Sequence, residues 1–449
     1  MRIPYGISNY GKVVEEGFYY VDKTPFIPLL EKAGDYLFLL RPRRFGKSLW
    51  MSTLEFYYDL NRRERFQELF GKTAIGRGPT AEQGRYCVLG LDFSAVSPDP
   101  SEVKRSFNQH VWLRAYNFLK RYQDVLGDAG RSALDEIREN RDADFVTGVV
   151  TEATGRAGLK IYLFIDEYDN FANTILASRG PDAYEGLTHG PGFYRAFFNV
   201  LKSWTRAGDS PLARLLVTGV SPLAMDDVTS GFNIGENLSL DVAFNDLFGF
   251  TRGEVLRLFR YYGKTESLSF APEDFASRIR DWCDHYRFAP QAPPDEERLF
   301  NPDMVLYLLK EALKNGRLPE EMIDHNVKTD YGKLRHLVMT SRSGGPEPNG
   351  NFDQLRKISE EGFVHARIVP SFPAEEVAYP ENFVSLLFYL GLLTIGDRAE
   401  GASRLVVPNE TVRRLHYEYL QRGYREAGMV SVSVFNLLAG LRRMAWRGE

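Results

Sequence analysis

Apolar residues follow two alternating patterns over the first 250 positions. Short continuous runs read as strands: Tyr36–Leu40 (YLFLL), Arg85–Val96 (RYCVLGLDFSAV), Lys160–Phe171 (KIYLFIDEYDNF) and Ala213–Pro222 (ARLLVTGVSP), with a further candidate in Glu236–Phe244 (ENLSLDVAF). Between them, apolar residues recur at helical spacing. Thr24-Pro25 supplies an N-cap and a first-turn proline and Gly34 a stop, so a helix precedes the first strand. Lys47 to about Asp59 is helical, with Leu49, Thr53, Phe56 and Leu60 in register. Ser101–Gly127 predicts one long amphipathic helix with Val103, Phe107, Val111, Leu113, Tyr116 and Leu119 on its apolar side. Apolar strands alternating with helices predict an α/β fold, a parallel sheet covered on both faces. Such sheets bind ligands at the carboxyl ends of their strands, which singles out Arg41–Ser48, Asp92, Asp166–Glu167 and Thr218.

After Phe250 the pattern changes. TRGEVLRLFRYYG and DMVLYLLKEALKNG are helical, whereas Ala289–Arg298 and Ser341–Asn351 are Pro/Gly/polar stretches that cannot bury a core. From Glu381 to Leu420 the order reads helix, Gly391, strand, polar turn, strand, helix, which suits a winged-helix-like module. The expected division is an α/β domain over 1–250, a helical lid over 251–375, the winged-helix-like module over 376–425, and a C-terminal segment over 426–449.

Composition narrows the class. The chain has 449 residues and a net charge of −4, so any nucleic-acid contact needs a local basic patch. Only Cys87 and Cys283 occur, with no C-x-x-C pair; this argues against a cysteine zinc site or a disulfide framework and fits a reducing compartment. No apolar run approaches the roughly 20 residues that span a bilayer, and the N-terminus lacks a signal-peptide core. A cytoplasmic protein without a membrane partner is expected.

The candidate chemistry begins at Gly46-Lys47-Ser48, which lies after an apolar strand and opens a helix. That placement aims backbone N–H groups and the helix dipole at phosphate, with Lys47 reaching the β/γ-phosphates and the Ser48 hydroxyl a divalent metal. The usual phosphate loop carries a first glycine five residues before Gly46; here that position is Arg41. Asp166 and Glu167 end an apolar strand, where an aspartate can hold the metal shell and a glutamate can orient and deprotonate water. Thr218 caps another strand, as a γ-phosphate or water contact or as a structural cap. Each has a bland alternative: a strand-to-helix turn, a solvated strand end, and for Arg41, Arg43 and Arg44 a solvated basic loop. Together they read as a nucleotide site with the arginines facing phosphate or the acids Asp92 and Asp166.

The blocks RPRRFGKS, LGLDFS, LFIDEYDNF, LLVTGVSP, DLFGFTRGEV, LFNPDMVL and the run from YLGLLTI to LVVPNETVR resemble, in order, the bacterial AAA-ATPase-like family over roughly residues 3–425. The resemblance implies an AAA/STAND-like P-loop NTPase fold, ATP and Mg²⁺ as cofactors, and a phosphate loop that lacks the first glycine, so Arg41 is the family's own solution. Its nucleotide-binding stretch runs Arg41, Pro42, Arg43, Arg44, Phe45, Gly46, Lys47, Ser48 and Leu49, its metal residues are Ser48 and Asp166, and its catalytic residues are Glu167 and Thr218, with Asp166-Glu167 as the Walker B pair. Members of the family usually carry a C-terminal PD-(D/E)xK nuclease-like domain. This sequence ends at Glu449, about where that domain would start, and holds no nuclease motif; Asp92 with Glu102-Val103-Lys104 is a decoy, because the latter pair opens a helix.

The expectation is an Mg²⁺-dependent ATPase, with nucleic-acid processing or mobile-element defence as the candidate context. The alternative is an ATP-gated switch that docks DNA or protein and hydrolyses little. Thr411–Glu449 holds seven arginines against three acids, which makes it the candidate DNA surface. Val434–Trp446 is apolar enough to pack on the body or on a second copy, so an oligomer is a further candidate.

Overall fold

Strand β1 (Tyr36–Leu40) is buried at four of its five positions and lies next to the edge of a five-stranded sheet. Its partners are β2 (Cys87–Asp92), β3 (Ile161–Asp166), β4 (Leu212–Gly219) and the two-residue β5 (Glu236–Asn237), in the order β2-β3-β4-β1-β5. All pairings are parallel, as their uninterrupted apolar character requires, because both faces are covered. β3 is buried at every position. This computed structural model describes residues 2–179, 181–188, 192–205, 210–223, 225, 234–263, 270–293, 298–327, 350–399 and 402–426. Among these, no helix is long and apolar enough to cross a membrane.

Register brings the polar strand ends level. Asp92 stands opposite Asp166, and Leu39 and Leu40 stand opposite Thr218 and Gly219. The Lys47–Tyr58 helix follows β1 as expected and buries Trp50, Met51, Leu54, Tyr57 and Tyr58. An α/β arrangement compatible with a P-loop NTPase is therefore present.

Three local expectations are corrected. Thr24 opens a short 3-10 turn (Thr24–Phe26) before the Ile27–Ala33 helix and does not cap the helix itself. Its hydroxyl donates to Asp22 Oδ1 at 2.6 Å and accepts from the Ile75 N–H at 3.1 Å. The long helix expected over 101–127 breaks at Tyr122: Val103–Arg121 is one helix, and the following Gln123–Glu139 is kinked at Gly127, φ 55°, where the expected helix ended. The break has a cause: the Tyr122 hydroxyl donates to buried Asp59 at 2.7 Å and accepts from the Val88 N–H at 2.9 Å, which turns the chain in against β2. Leu113, assigned to the apolar side, is 48% exposed; the buried stripe runs through Val103, Phe107, Val111, Ala115 and Phe118. Leu113 lies two residues past Val111, about 200° around the helix.

Beyond residue 250 come the helices Arg252–Gly263, Pro272–Cys283 and Pro302–Asn315. The last part holds Gly350–Glu361, Pro380–Tyr389 and Glu410–Glu426 with a small antiparallel sheet, β6 (Phe363–Ala366), β7 (Thr394–Ala399) and β8 (Ala402–Val406), ordered β6-β8-β7. The expected helix–strand–strand–helix order is present. β6 was not anticipated, since four residues after a helix stop give no usable period. Gly350 and Asn351, assigned to a loop, open the Gly350–Glu361 helix. The expected C-terminal segment, apart from Glu426, and with it Val434–Trp446, Arg442, Arg443 and Arg447, lies outside the described residues.

Candidate functional site

The loop after β1 is shaped by two residues in the left-handed region, Arg44 at φ 69° and Gly46 at φ 95°. Gly46 precedes the Lys47–Tyr58 helix and provides no side-chain cap, so the first-turn N–H groups face the loop interior. Lys47 is buried and donates to the carbonyls of Arg41 at 3.0 Å and Pro42 at 3.1 Å. Burial pushes its pKa down, opposed by the charges of Glu167, Asp166 and Asp169. The lysine is thus held at the mouth of its own loop, facing three carboxylates.

Arg41 answers why the first glycine is dispensable. Its guanidinium does not turn toward the loop interior. It is 1% exposed and donates to the carbonyls of Leu40 (2.9 Å), Ser239 (2.7 Å) and Phe244 (2.9 Å), with the Phe288 ring 4.5 Å away. Burial draws its pKa down from 12.5 to about 9. Arg41 is therefore a strut from the loop to the segment after β5, not a side chain placed for phosphate. Phe45 likewise packs beneath the loop, against Tyr286 at 4.8 Å and Phe288 at 5.2 Å.

Arg43 and Arg44 point the other way. Arg43 donates to Asn170 Oδ1 at 3.4 Å, and its charge acts on Glu167 and Asp169. Arg44 meets Asp303, in the first turn of the Pro302–Asn315 helix, at 3.5 Å. The contacts described for these arginines thus include an amide after β3 and a carboxylate from the helical region. Asp92 instead accepts the Ser94 N–H at 2.9 Å.

The strand-end acids divide. Asp166 is buried; its Oδ1 accepts the Thr218 hydroxyl at 2.5 Å and the Glu167 N–H at 2.9 Å. Glu167 follows at φ 53°, a conformation costing about 1–2 kcal/mol for a residue with a Cβ. Burial pushes its carboxyl pKa up, with Lys47 opposing and Asp169 and Asp166 reinforcing. A cavity of about 1280 Å³ takes Glu167 and the loop from Arg43 to Trp50 as walls, together with the N-terminal segment, the β2 exit and the start of the Pro302–Asn315 helix. Arg41, Pro42, Asp166 and Thr218 stand behind its surface. Thr218, fully buried, holds Asp166 and does not face the cavity.

The sequence reading missed Asp169 and the N-terminal wall. Asp169 is 1% exposed and accepts from the Ser221 N–H at 2.6 Å and from Asn173 Nδ2 at 2.7 Å. Its signal was a second acid three residues after Asp166, hidden because it follows the strand. Lys23 pairs with Glu254 at 2.9 Å, tying the N-terminal segment to the Arg252–Gly263 helix.

The donor set suits a magnesium nucleotide. Helix-terminal N–H groups, an ammonium and guanidiniums match phosphates, while Ser48 and Asp166 supply hard oxygens. Among the described residues no group of three or more His, Cys, Asp or Glu side chains stands ready to hold a metal, so a metal here would need ligands from the nucleotide itself.

A protein of Azotobacter chroococcum mcd 1, described as an uncharacterized protein in vnfD 5'region, is 27% identical over 327 residues. That match covers 70% of this chain and 53% of the relative, so the chain spans about half the length of the curated relative it matches. A family model described as predicted AAA-ATPase matches residues 4–229, the stretch that contains the loop after β1, the β3 acids and Thr218. By that match, the chain belongs to the AAA-ATPase-like family.

Proposed function

We propose that this chain binds ATP with Mg²⁺ at the carboxyl edge of its parallel sheet and hydrolyses it. The observation that carries the reading is that buried Lys47 and half-buried Glu167, each within the other's field, stand at one cavity at the strand ends. Lys47 and the first-turn N–H groups hold the β- and γ-phosphates, and Arg43 and Arg44 bear on the terminal one. Ser48 and Asp166 would hold the metal, with the nucleotide supplying further ligands. Mg²⁺ supplies charge neutralisation at the phosphates. Glu167 takes a proton from water as the water oxygen bonds to the γ-phosphorus; the bond to the β-bridging oxygen breaks, and ADP and phosphate leave. The raised Glu167 pKa suits a base that must accept a proton near neutrality.

On this reading residues 1–250 form the ATPase body, 251–375 the lid and 376–425 a winged-helix-like module. A switch with little turnover is the second reading, favoured by the Arg44–Asp303 pair, which gives a phosphate-facing arginine a partner in the helical region. A DNA partner for the C-terminal part is the weaker proposal: Arg413 and Arg414 both pair with Glu410. Calorimetry with ATP, with and without Mg²⁺, followed by a turnover assay, tests the reading. Binding without turnover selects the switch, and no binding removes both.

A further inference from the structure

Two segments meet beside the cavity: the turn Asp166–Asn170 after β3, and the exit of β4, Thr218–Ser221. They are joined at every step. The Tyr168 N–H donates to the Thr218 carbonyl at 3.1 Å, and the Tyr168 hydroxyl donates to the Ser221 carbonyl at 2.6 Å. Asp169 accepts from the N–H groups of Val220 (3.2 Å) and Ser221 (2.6 Å) and from Asn173 Nδ2 (2.7 Å). The Tyr194 hydroxyl donates to the Tyr168 carbonyl at 2.5 Å. The contact is too close for a side chain at position 219, where a Cβ would stand 2.4 Å from the Tyr168 ring and 2.5 Å from Asp169 Oδ1; Gly219 is required.

We infer that Asp169 is a positioning residue for hydrolysis: it clamps the β4 exit to the β3 turn so that Thr218 holds Asp166 and Glu167 is presented to the cavity. A fully buried carboxylate is costly to desolvate. A neutral residue could cap one N–H, yet only a carboxylate accepts from two backbone N–H groups and a side-chain amide together. The two segments carry Asp166, Glu167 and Thr218, so a slack clamp displaces the base; the phosphate loop shares one bond with this exit, Arg41 N–H to the Gly219 carbonyl at 3.2 Å, and keeps its separate ties to Ser239 and Phe244. Glu167 is sensitive to this because its left-handed backbone persists only while the turn is over-determined. The inference rests on the hydrolytic reading above.

Asp169→Asn keeps the shape but puts an amide nitrogen where a carboxylate oxygen accepted, so a donor faces either the Val220 N–H or the Ser221 N–H and Asn173 Nδ2. Turnover should fall on the order of 10- to 100-fold, the usual cost of a misplaced catalytic group, while ATP affinity without Mg²⁺ changes less than about twofold. A loss confined to kcat, with ATP affinity kept, separates displacement of the base from a general packing defect, which would lower both. Should Asp169→Asn fail to fold, Thr218→Val cuts only the link to Asp166 and should lower turnover in the same range with ATP affinity kept. Unchanged turnover in the variant that folds, or a parallel loss of ATP affinity, overturns the inference. A wild-type protein that binds ATP without turning it over sinks the hydrolytic reading and this inference with it. Turnover in wild type and equally in Asp169→Asn sinks this inference alone.

Discussion

The rim of the cavity and the joint between the helical region and the C-terminal sheet both bury polar side chains, but of different kinds. At the joint the groups are mostly neutral and bond to backbone. Thr394 accepts from the Arg287 N–H at 2.8 Å and donates to its carbonyl at 3.2 Å. Asn409 donates to Asp284 O at 2.9 Å, and Thr411 to Trp282 O at 2.6 Å. Among the charged contributors, Arg298 donates to the carbonyls of Ile395 and Gly396, each at 2.6 Å, and Arg414 lies 4.5 Å over the Trp282 ring. At the rim, buried Lys47 and Asp169 and half-buried Glu167 are charges that shift one another's pKa values. Saturated neutral pairs make a rigid seam, whereas clustered buried charges are costly and mark a place where a charged ligand completes the balance.

The contrast is broken most directly at Lys47. Lys47→Ala should abolish measurable ATP binding in calorimetry, since each charge-assisted contact is worth roughly 1.5–3 kcal/mol; wild-type affinity would refute the rim as a phosphate site. Glu167→Gln should keep ATP affinity and lose turnover by about 10²-fold or more. In the wild type, turnover needs the ionised carboxylate. Its raised pKa therefore places the acid limb of a kcat–pH profile above the ordinary carboxylate range, with activity lost as pH falls through that value. A limb at the ordinary position would remove Glu167 as the base.

Arg41→Leu sharpens the comparison, because Arg41 sits at the rim in sequence and behaves like the joint in structure. Removing it leaves three carbonyls without their donor, so the thermal midpoint should drop by the equivalent of about 2–3 kcal/mol. Undiminished stability would return the side chain to the phosphate reading.

His416, fully buried in the C-terminal part, has its pKa lowered from 6.5 to about 4 by desolvation. Between those values the unfolded chain binds more protons than the folded one, so stability is full above 6.5 and falls as pH drops toward 4. At pH 5 the loss from this group is about 2 kcal/mol. His416→Phe should flatten that part of a stability–pH curve, and an unchanged slope would contradict the burial argument. Thr411→Val should cost least, about 1 kcal/mol in unfolding, by removing one neutral hydrogen bond. It should leave ATP binding alone; a change in ATP affinity would mean that joint and rim are coupled.

The sequence by itself determined much of this. Apolar runs bounded by polar ends located β1 to β4 and their parallel character, because a strand buried on both faces has no other composition to offer. Gly46-Lys47-Ser48 after such a run, with Asp166-Glu167 ending another, located the candidate site. Only the tertiary structure decided how these residues divide the work. The direction of a side chain at a strand end depends on what packs over it. Arg41 turns under the loop because the carbonyls of Ser239 and Phe244, some two hundred residues on, face it. Thr218 stands behind Asp166 because register sets β4 against β3. Asp169 acquired its partners from the β4 exit, about fifty residues away, and no local pattern could announce them. Contacts so distant in sequence carry no period, so they are fixed only when the sheet closes.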